Sequence, residues 1–291
     1  MRVLLCGASG FIGQHLKRGL IESGHSIISA LRQPRNAEEI GIDYCTDTQP
    51  ETWHPRLAGI DAVINAVGVL RDSPRSPMEL IHARTPQALF KACAECGIQR
   101  VVQFSALGVG GAIRNRYFDT RLEAEKYLHT LNPALRHLIL RPSLIYGDDG
   151  ASARFFRFLA ARPLHLLPTG GEQTLRPVHI DDIAEAVTRW LGDPNATSAT
   201  VAAVGLEETT LRGLLDSYRA QQGHSPARHI SIPHALMRLS ARLGELFPTS
   251  LLCSETLDML LAGNTADVVD FTRLLGHPPR SYRDFIHKQK P

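Results

Sequence analysis

Tyr117 and Arg121 stand four residues apart in RYFDTRLEAEK, residues 116–126. On a helix that spacing stacks them one turn apart on a single face. A phenol titrates near pH 10, so it donates or accepts a proton efficiently at neutral pH only beside a fixed positive charge. Arginine keeps its charge and can bond a ribose through its planar fork, but it does not surrender a proton. A relay running through this side chain is therefore lost. A hydroxyl beside such a pair would orient a carbonyl by hydrogen bonding. The one hydroxyl in RVVQFSALG is Ser105, followed by Ala106 and Leu107. Ser105 is expected to cap its strand or to bond backbone, which leaves Ser143 or Tyr146 as alternative donors.

A second constellation is Gly7-Ala8-Ser9-Gly10-Phe11-Ile12-Gly13, a GxxGxxG string set between an apolar run and an amphipathic one. Glycines there permit a tight turn and close approach of backbone to a pyrophosphate, and the following helix supplies amide donors and dipole. Gly7, Ser9, Gly10, Phe11, Ile12 and Gly13 are the candidate cofactor contacts. The next strand ends Leu31-Arg32-Gln33-Pro34-Arg35, with no carboxylate before Glu38. A carboxylate at that point binds the ribose 2′-hydroxyl of NAD, whereas Arg32 suits a 2′-phosphate. The residues favour NADP(H) over NAD(H).

Other reactive residues carry less. Cys93 and Cys96 form a CxxC late in a helical run with no second pair, so they read as structural, and no metal site is expected. His82, His179 and Asp181–Asp182 suggest metal or acid–base work only weakly. HIDDIAEAV reads as a helix entrance with an aspartate as cap and dipole partner. GASGF is not a nucleophile elbow.

The elements that must position these residues alternate from the start. RVLLCGA, HSIISALRQ, IDYC, DAVINAVGV, RVVQFSALG and HLILRPSLIYG read as six strands. FIGQHLKRGLIESG, the region ending LFKACAECG (with a break or restart at Pro86) and the Tyr117 segment read as helices between them. The pattern predicts an α/β protein: a Rossmann-like, doubly wound parallel sheet with a small, mostly helical C-terminal lobe. SARFFRFLAAR reads as a helix and PLHLLPTGGEQ as a Pro/Gly-rich turn region. The expected division is a dinucleotide-binding core at 1–147, a substrate-side insertion at 148–177, a return to the core at 178–204 and a C-terminal lobe at 205–291.

The 291 residues, 43% of them hydrophobic, suffice for a substantial core without disulfides, and five cysteines make no framework. A net charge of +3 with no basic arm argues against nucleic acid. No apolar run reaches the length of a membrane span, and MRVLLCGASG reads as a first strand rather than a signal peptide. A cytoplasmic protein is expected. Association with a protein partner or a peripheral membrane complex stays open.

Taken together, GASGFIG, VVQFSALG, the Tyr117–Arg121 spacing and LRPSLIYG with the later RPVHIDDIA resemble the short-chain dehydrogenase/reductase superfamily in its extended or atypical branch. Within it, SALG and the tail SETLDMLLAGNTADVV are most similar to the subgroup of the NADPH-binding accessory subunit of respiratory complex I, which is NAD-dependent epimerase/dehydratase-like. The resemblance implies a small C-terminal lobe over the nicotinamide, with Gly7, Gly10 and Gly13 facing the pyrophosphate. It places Asp47 near the adenine, although Asp47 also reads as a turn residue. Ala66, Val67 and Gly68 would line the adenosine side, and Pro142 and Ser143 would border the nicotinamide. Enzymes of this superfamily use Tyr, Lys and Ser or Thr. Here Tyr117 is kept, Arg121 stands for the lysine, and Ala106 and Leu107 occupy the hydroxyl position. Three expectations follow: an NADP(H)-dependent oxidoreductase acting on a carbonyl or alcohol, a non-catalytic NADPH-binding scaffold, assembly factor or redox sensor, and an epimerase or dehydratase.

Overall fold

Residues 1–36, 38–233, 235–238, 240, 254–261 and 263–286 are described by a computed structural model. The first apolar run becomes β1 (Arg2–Cys6), whose Val3, Leu4, Leu5 and Cys6 are wholly buried, as a strand covered on both faces requires. It feeds α1 (Phe11–Glu22), which turns Leu16 and Leu20 inward. Then come β2 (Ser26–Leu31), β3 (Glu39–Gly41), β4 (Ala62–Asn65), α2 (Thr85–Glu95), β5 (Arg100–Phe104), α3 (Arg116–Thr130) and β6 (Arg136–Pro142). Further along are β7 (Ile145–Tyr146), α4 (Ala151–Ala160), β8 (Leu164–Pro168), β9 (Thr174–Leu175), β10 (Val178–His179) and α5 (Ile180–Gly192). The chain continues through β11 (Ala199–Ala203), β12 (Thr209–Thr210), α6 (Leu211–Gln221) and β13 (Arg228–Ile232), followed by helices Ser254–Leu261 and Val269–Leu275.

The main sheet is parallel and seven-stranded, in the order β11-β6-β5-β4-β1-β2-β3. Chain order reverses between β1 and β4. Such a switch point opens a crevice at the carboxyl ends of those two strands, where the glycine loop and Ala66–Gly68 emerge.

Two compact units are present, residues 1–141 with 183–201 and residues 142–182 with 202–291. The first is built on a core that includes Leu4, Ile28, Trp53, Val63, Phe90 and Ile139. The second has its own core, around Tyr146, Leu167, Leu214, Tyr218 and Phe285.

The structure departs from the sequence reading in several places. The third strand is Glu39–Gly41, not IDYC. Asp43 explains the shift: its carboxylate accepts the Cys45 N–H at 2.8 Å and its carbonyl the Thr46 N–H at 3.0 Å, so the chain turns there. Part of PLHLLPTGGEQ is strand β8, paired in parallel with β13, a partner more than sixty residues away that local composition does not reveal. The edge strand β11, rich in alanine, also has no period to find. At Pro86 a π-helical stretch, Glu79–Arg84, gives way to α2, and the proline sits in the first turn of the new helix, where its missing N–H is not needed. Among the described residues no helix is long and apolar enough to cross a membrane.

Candidate functional site

The glycine loop closes on itself and on β4. Gly7 adopts φ +85°, open to glycine without strain, and its carbonyl accepts the Gly10 N–H at 2.9 Å. A Cβ on Gly7 would stand 2.9 Å from the Ala66 carbonyl group, and one on Gly13 only 2.1 Å from the Gly7 oxygen. Two of the three glycines are therefore sterically obligatory. Gly10 caps α1 with no side chain, and the first turn holds no acid. Its amides and the positive end of the helix dipole are left for an anion. The Ser9 carbonyl accepts the Gln14 amide at 2.9 Å. This backbone cradle fits a dinucleotide pyrophosphate. Behind it, buried Asn65 accepts from the Tyr44 hydroxyl at 2.8 Å and from the Val67 N–H at 3.2 Å, and donates to Gln103 at 2.8 Å, which fixes the loop after β4.

On α3, Asn115 caps the helix by accepting the Phe118 N–H at 2.9 Å, and Tyr117 and Arg121 are both buried. The Arg121 guanidinium lies over the Tyr117 ring, 4.6 Å from its centroid, a cation–π contact. Its Nη1 donates to the Phe104 carbonyl at 3.0 Å. A Cβ on Gly68 would fall 2.5 Å from its Nη2, so Gly68 is the space the arginine needs. Sequence reasoning gave His82 little weight, yet the structure seats it in this cluster, edge-on to Tyr117 at 5.5 Å. His82 Nε2 accepts the Val69 N–H at 3.0 Å, which leaves the proton on Nδ1, 3.2 Å from the Thr120 hydroxyl. Burial, and then the charge of Arg121, drive the His82 pKa down to about 2. It is a neutral structural imidazole. The only sequence signal for it was a histidine before the Pro86 restart.

The remaining candidates divide. Arg32 and Arg35 are exposed just beyond β2. The buried Asp47 carboxylate is engaged by Arg56 at 2.7 Å and by the Asp43 N–H at 2.7 Å, so it is neither a surface residue nor unpaired. Ser105 does not bond backbone through its hydroxyl as expected: its Oγ is buried without a hydrogen-bond partner, as is Arg121 Nε. The Ser105 N–H itself continues the ladder, donating to the Leu140 carbonyl at 2.7 Å. In the second unit β6 ends at Pro142, and the Ser143 hydroxyl donates to the Arg176 carbonyl at 2.5 Å. There too the Tyr146 hydroxyl donates to Asp148 at 2.8 Å, and burial with that bond raises its pKa to about 12. Both alternative donors are thus committed. At the entrance to α5 the Asp181 N–H donates to His179 at 3.2 Å, and buried Asp182 accepts the Arg280 N–H at 2.8 Å. Cys93 is buried, its thiol pKa raised by burial, while Cys96, the C-cap residue just past α2, is exposed.

Comparison with known proteins agrees with this geometry. The chain is 20% identical over 243 residues to the mitochondrial NADH-ubiquinone oxidoreductase 40 kDa subunit of Neurospora crassa, with 80% of this chain and 63% of that protein aligned. The chain thus spans under two thirds of that relative. It is 24% identical to the photosystem II assembly factor Ycf39 of Synechocystis, over 96% of this chain and 87% of that one. The fold of the human epimerase family protein SDR39U1, solved with NADPH, superposes with a TM-score of 0.74 at 19% identity, covering 98% of both chains. The sequence pattern of the NAD dependent epimerase/dehydratase family matches residues 3–205. With its glycine loop at the switch point of a seven-stranded parallel sheet, this chain belongs to the NAD dependent epimerase/dehydratase family, the extended short-chain dehydrogenase/reductases.

Proposed function

We propose that the protein binds NADP(H) through the glycine loop and works as a dinucleotide-binding scaffold, assembly factor or redox sensor with a protein partner, rather than as an enzyme with turnover. The observation that carries this reading is how Arg121 is spent. Turnover by this family's chemistry asks the residue at 121 to serve cofactor and tyrosine together. Here it is stacked on the Tyr117 ring, donates to the Phe104 carbonyl and fills the space beside Gly68. Ala106 and Leu107 stand where a carbonyl-orienting hydroxyl is expected, and the neighbouring Ser105 hydroxyl is buried without a hydrogen-bond partner. Gly7, Ser9, Gly10, Phe11, Ile12 and Gly13 hold the pyrophosphate, and Arg32 receives the 2′-phosphate. Ala66 and Val67 border the adenosine. The Neurospora relative is a subunit and the Synechocystis relative an assembly factor, which supports a protein partner here.

A second reading is favoured by the closeness of Tyr117 and Arg121: an oxidoreductase in which Tyr117 protonates a carbonyl oxygen while NADPH supplies hydride. One experiment separates the two. NADPH and NADH are titrated by calorimetry, and NADPH consumption is followed with a panel of aldehydes and ketones. The expected result is NADPH binding at least about tenfold tighter than NADH, a gap that Arg32→Ala closes, with no consumption. Consumption that vanishes in Tyr117→Phe while affinity is kept would overturn the scaffold reading in favour of the second. Failure to bind either nucleotide would sink both.

A further inference from the structure

In the second unit, β8 and β13 pair in parallel with His165 directly opposite His229. Along β8 the alternation is Leu164 out, His165 in, Leu166 out, Leu167 in, so the strand's period of two aims the imidazole inward. Across the pair, His229 Nε2 lies 2.9 Å from Oδ1 of Asp216 on α6. The two imidazole centroids are 5.3 Å apart. One donor atom from each of His165, Asp216 and His229 can be chosen so that all three lie within 4.8 Å of one another.

His165 makes this more than a histidine pair with a counter-charge. It is 3% exposed. Its Nε2 faces the Ala160 carbonyl at 3.4 Å, which sets the proton on that nitrogen. The other nitrogen, Nδ1, then carries a lone pair, and it is buried with no hydrogen-bond partner. His229 and Asp216 stand close to this ring, and holding one nitrogen of an imidazole with a backbone carbonyl while the other stays without a partner is how proteins orient the ring as a metal ligand. Burial, the largest effect, lowers the His165 pKa and keeps the ring neutral, as a ligand must be.

We propose that His165, Asp216 and His229 form a binding site for one divalent transition-metal ion of the zinc class, clamping the β8–β13 pair to α6. Two imidazoles and one carboxylate suit zinc, and three protein donors leave a fourth position open. Tetrahedral donors around zinc are separated by about 3.3 Å, so the side chains draw together slightly, and His229 gives up its Nε2 proton and its bond to Asp216 as the ion enters. Arg212, whose Nε is 4.0 Å from the second Asp216 oxygen, competes with the ion. Arg219, donating to the Ala160 and Arg162 carbonyls, adds positive charge nearby. The affinity is therefore expected to be moderate.

The test uses the full chain stripped with chelator and titrated with ZnCl2 by calorimetry, with metal content measured after gel filtration and Co2+ absorption as a second probe. One Zn2+ per chain is expected, with Co2+ giving the visible bands of a four-coordinate site. Asp216→Asn and His165→Gln, each checked for wild-type circular dichroism in chelator, lose the ion and the Co2+ bands. Arg212→Ala tightens binding by about twofold to fivefold. His129→Gln, which alters a histidine pair elsewhere, keeps full stoichiometry. If His165→Gln fails to fold, the half-exposed Asp216 decides through Asp216→Asn. No Zn2+ bound by the wild type at micromolar concentrations, or stoichiometry unchanged in Asp216→Asn, overturns the assignment.

Discussion

Replacing Gly13 with alanine sets two effects of opposite sign against each other. Gly13 lies in the first turn of α1, and alanine is favoured over glycine in a helix by about 1 kcal/mol. The new Cβ, however, would lie 2.1 Å from the Gly7 oxygen and 2.8 Å from both the Gly7 carbonyl carbon and the Ala8 Cα. All three are backbone atoms of the loop, so no side chain can swing away. Relief requires the Gly7 carbonyl to move by about 1 Å, with strain of about 1–3 kcal/mol typical of an overfilled site. The bond from Gly10 N–H to Gly7 oxygen, 2.9 Å in the native loop, is lost as well, at about 1 kcal/mol. The steric side wins, by a net of about 1–3 kcal/mol.

Gly19, six residues along the same helix, is the matched control. Its Cβ would meet Ala184 Cβ at 3.8 Å and Thr188 Oγ1 at 3.9 Å, ordinary contact distances, so Gly19→Ala should stabilise by about 0.5–1 kcal/mol. Urea unfolding of both variants measures the difference, and each kcal/mol moves the melting temperature by about 2–4 °C. Calorimetry should show NADPH affinity down at least about tenfold in Gly13→Ala and unchanged in Gly19→Ala. Equal stability of the two variants, with wild-type NADPH affinity in both, would refute the cradle argument.

Arg100→Leu should destabilise by about 2–4 kcal/mol in urea unfolding, because the buried guanidinium donates to the carbonyls of Trp190, Leu191 and Asp193 at the end of α5, and those of buried Trp190 and Leu191 would lose this partner, whereas the Asp193 carbonyl keeps the Ala196 N–H. His82 supplies a pH test. Its folded pKa, about 2, is depressed below its ordinary value of 6.5, so the unfolded chain binds the proton first. Its contribution is complete above pH 6.5 and falls with pH by up to about 1.4 kcal/mol per unit until the folded pKa. Unfolding free energies between pH 6 and 4 should therefore fall more steeply in the wild type than in His82→Gln, and identical slopes would contradict the depressed pKa. Arg121→Lys should cost about 1–3 kcal/mol, since an ammonium cannot keep both the Phe104 contact and the stack on Tyr117. NADPH consumption appearing in that variant would show that the arginine alone silences the site.

The alternation of buried strands and amphipathic helices, the glycine loop between the first pair, and the family to which they lead were all legible in the sequence, because their signals are local. A buried parallel strand is apolar throughout, and GxxGxxG brackets a turn that only small residues can make. The third strand was misplaced because the Asp43 turn displaced IDYC, and β8 was missed because its partner β13 is remote. The Tyr117–Arg121 spacing gave the contact, but spacing carries no direction for a long side chain.

What the sequence by itself determined is which residues repeat with the period of a strand or a helix and where glycine must stand, since these follow from backbone geometry. Only the tertiary structure decided where polar atoms find partners. It turned Arg121 onto the Tyr117 ring and the Phe104 carbonyl, made Gly68 the space for its guanidinium, and left the Ser105 hydroxyl without a bond. It also set His165 opposite His229 and beside Asp216, residues separated by up to sixty-four positions in the chain. Hydrogen bonds and coordination act over about 3 Å, and which groups come that close depends on strand order and register, which no local pattern records.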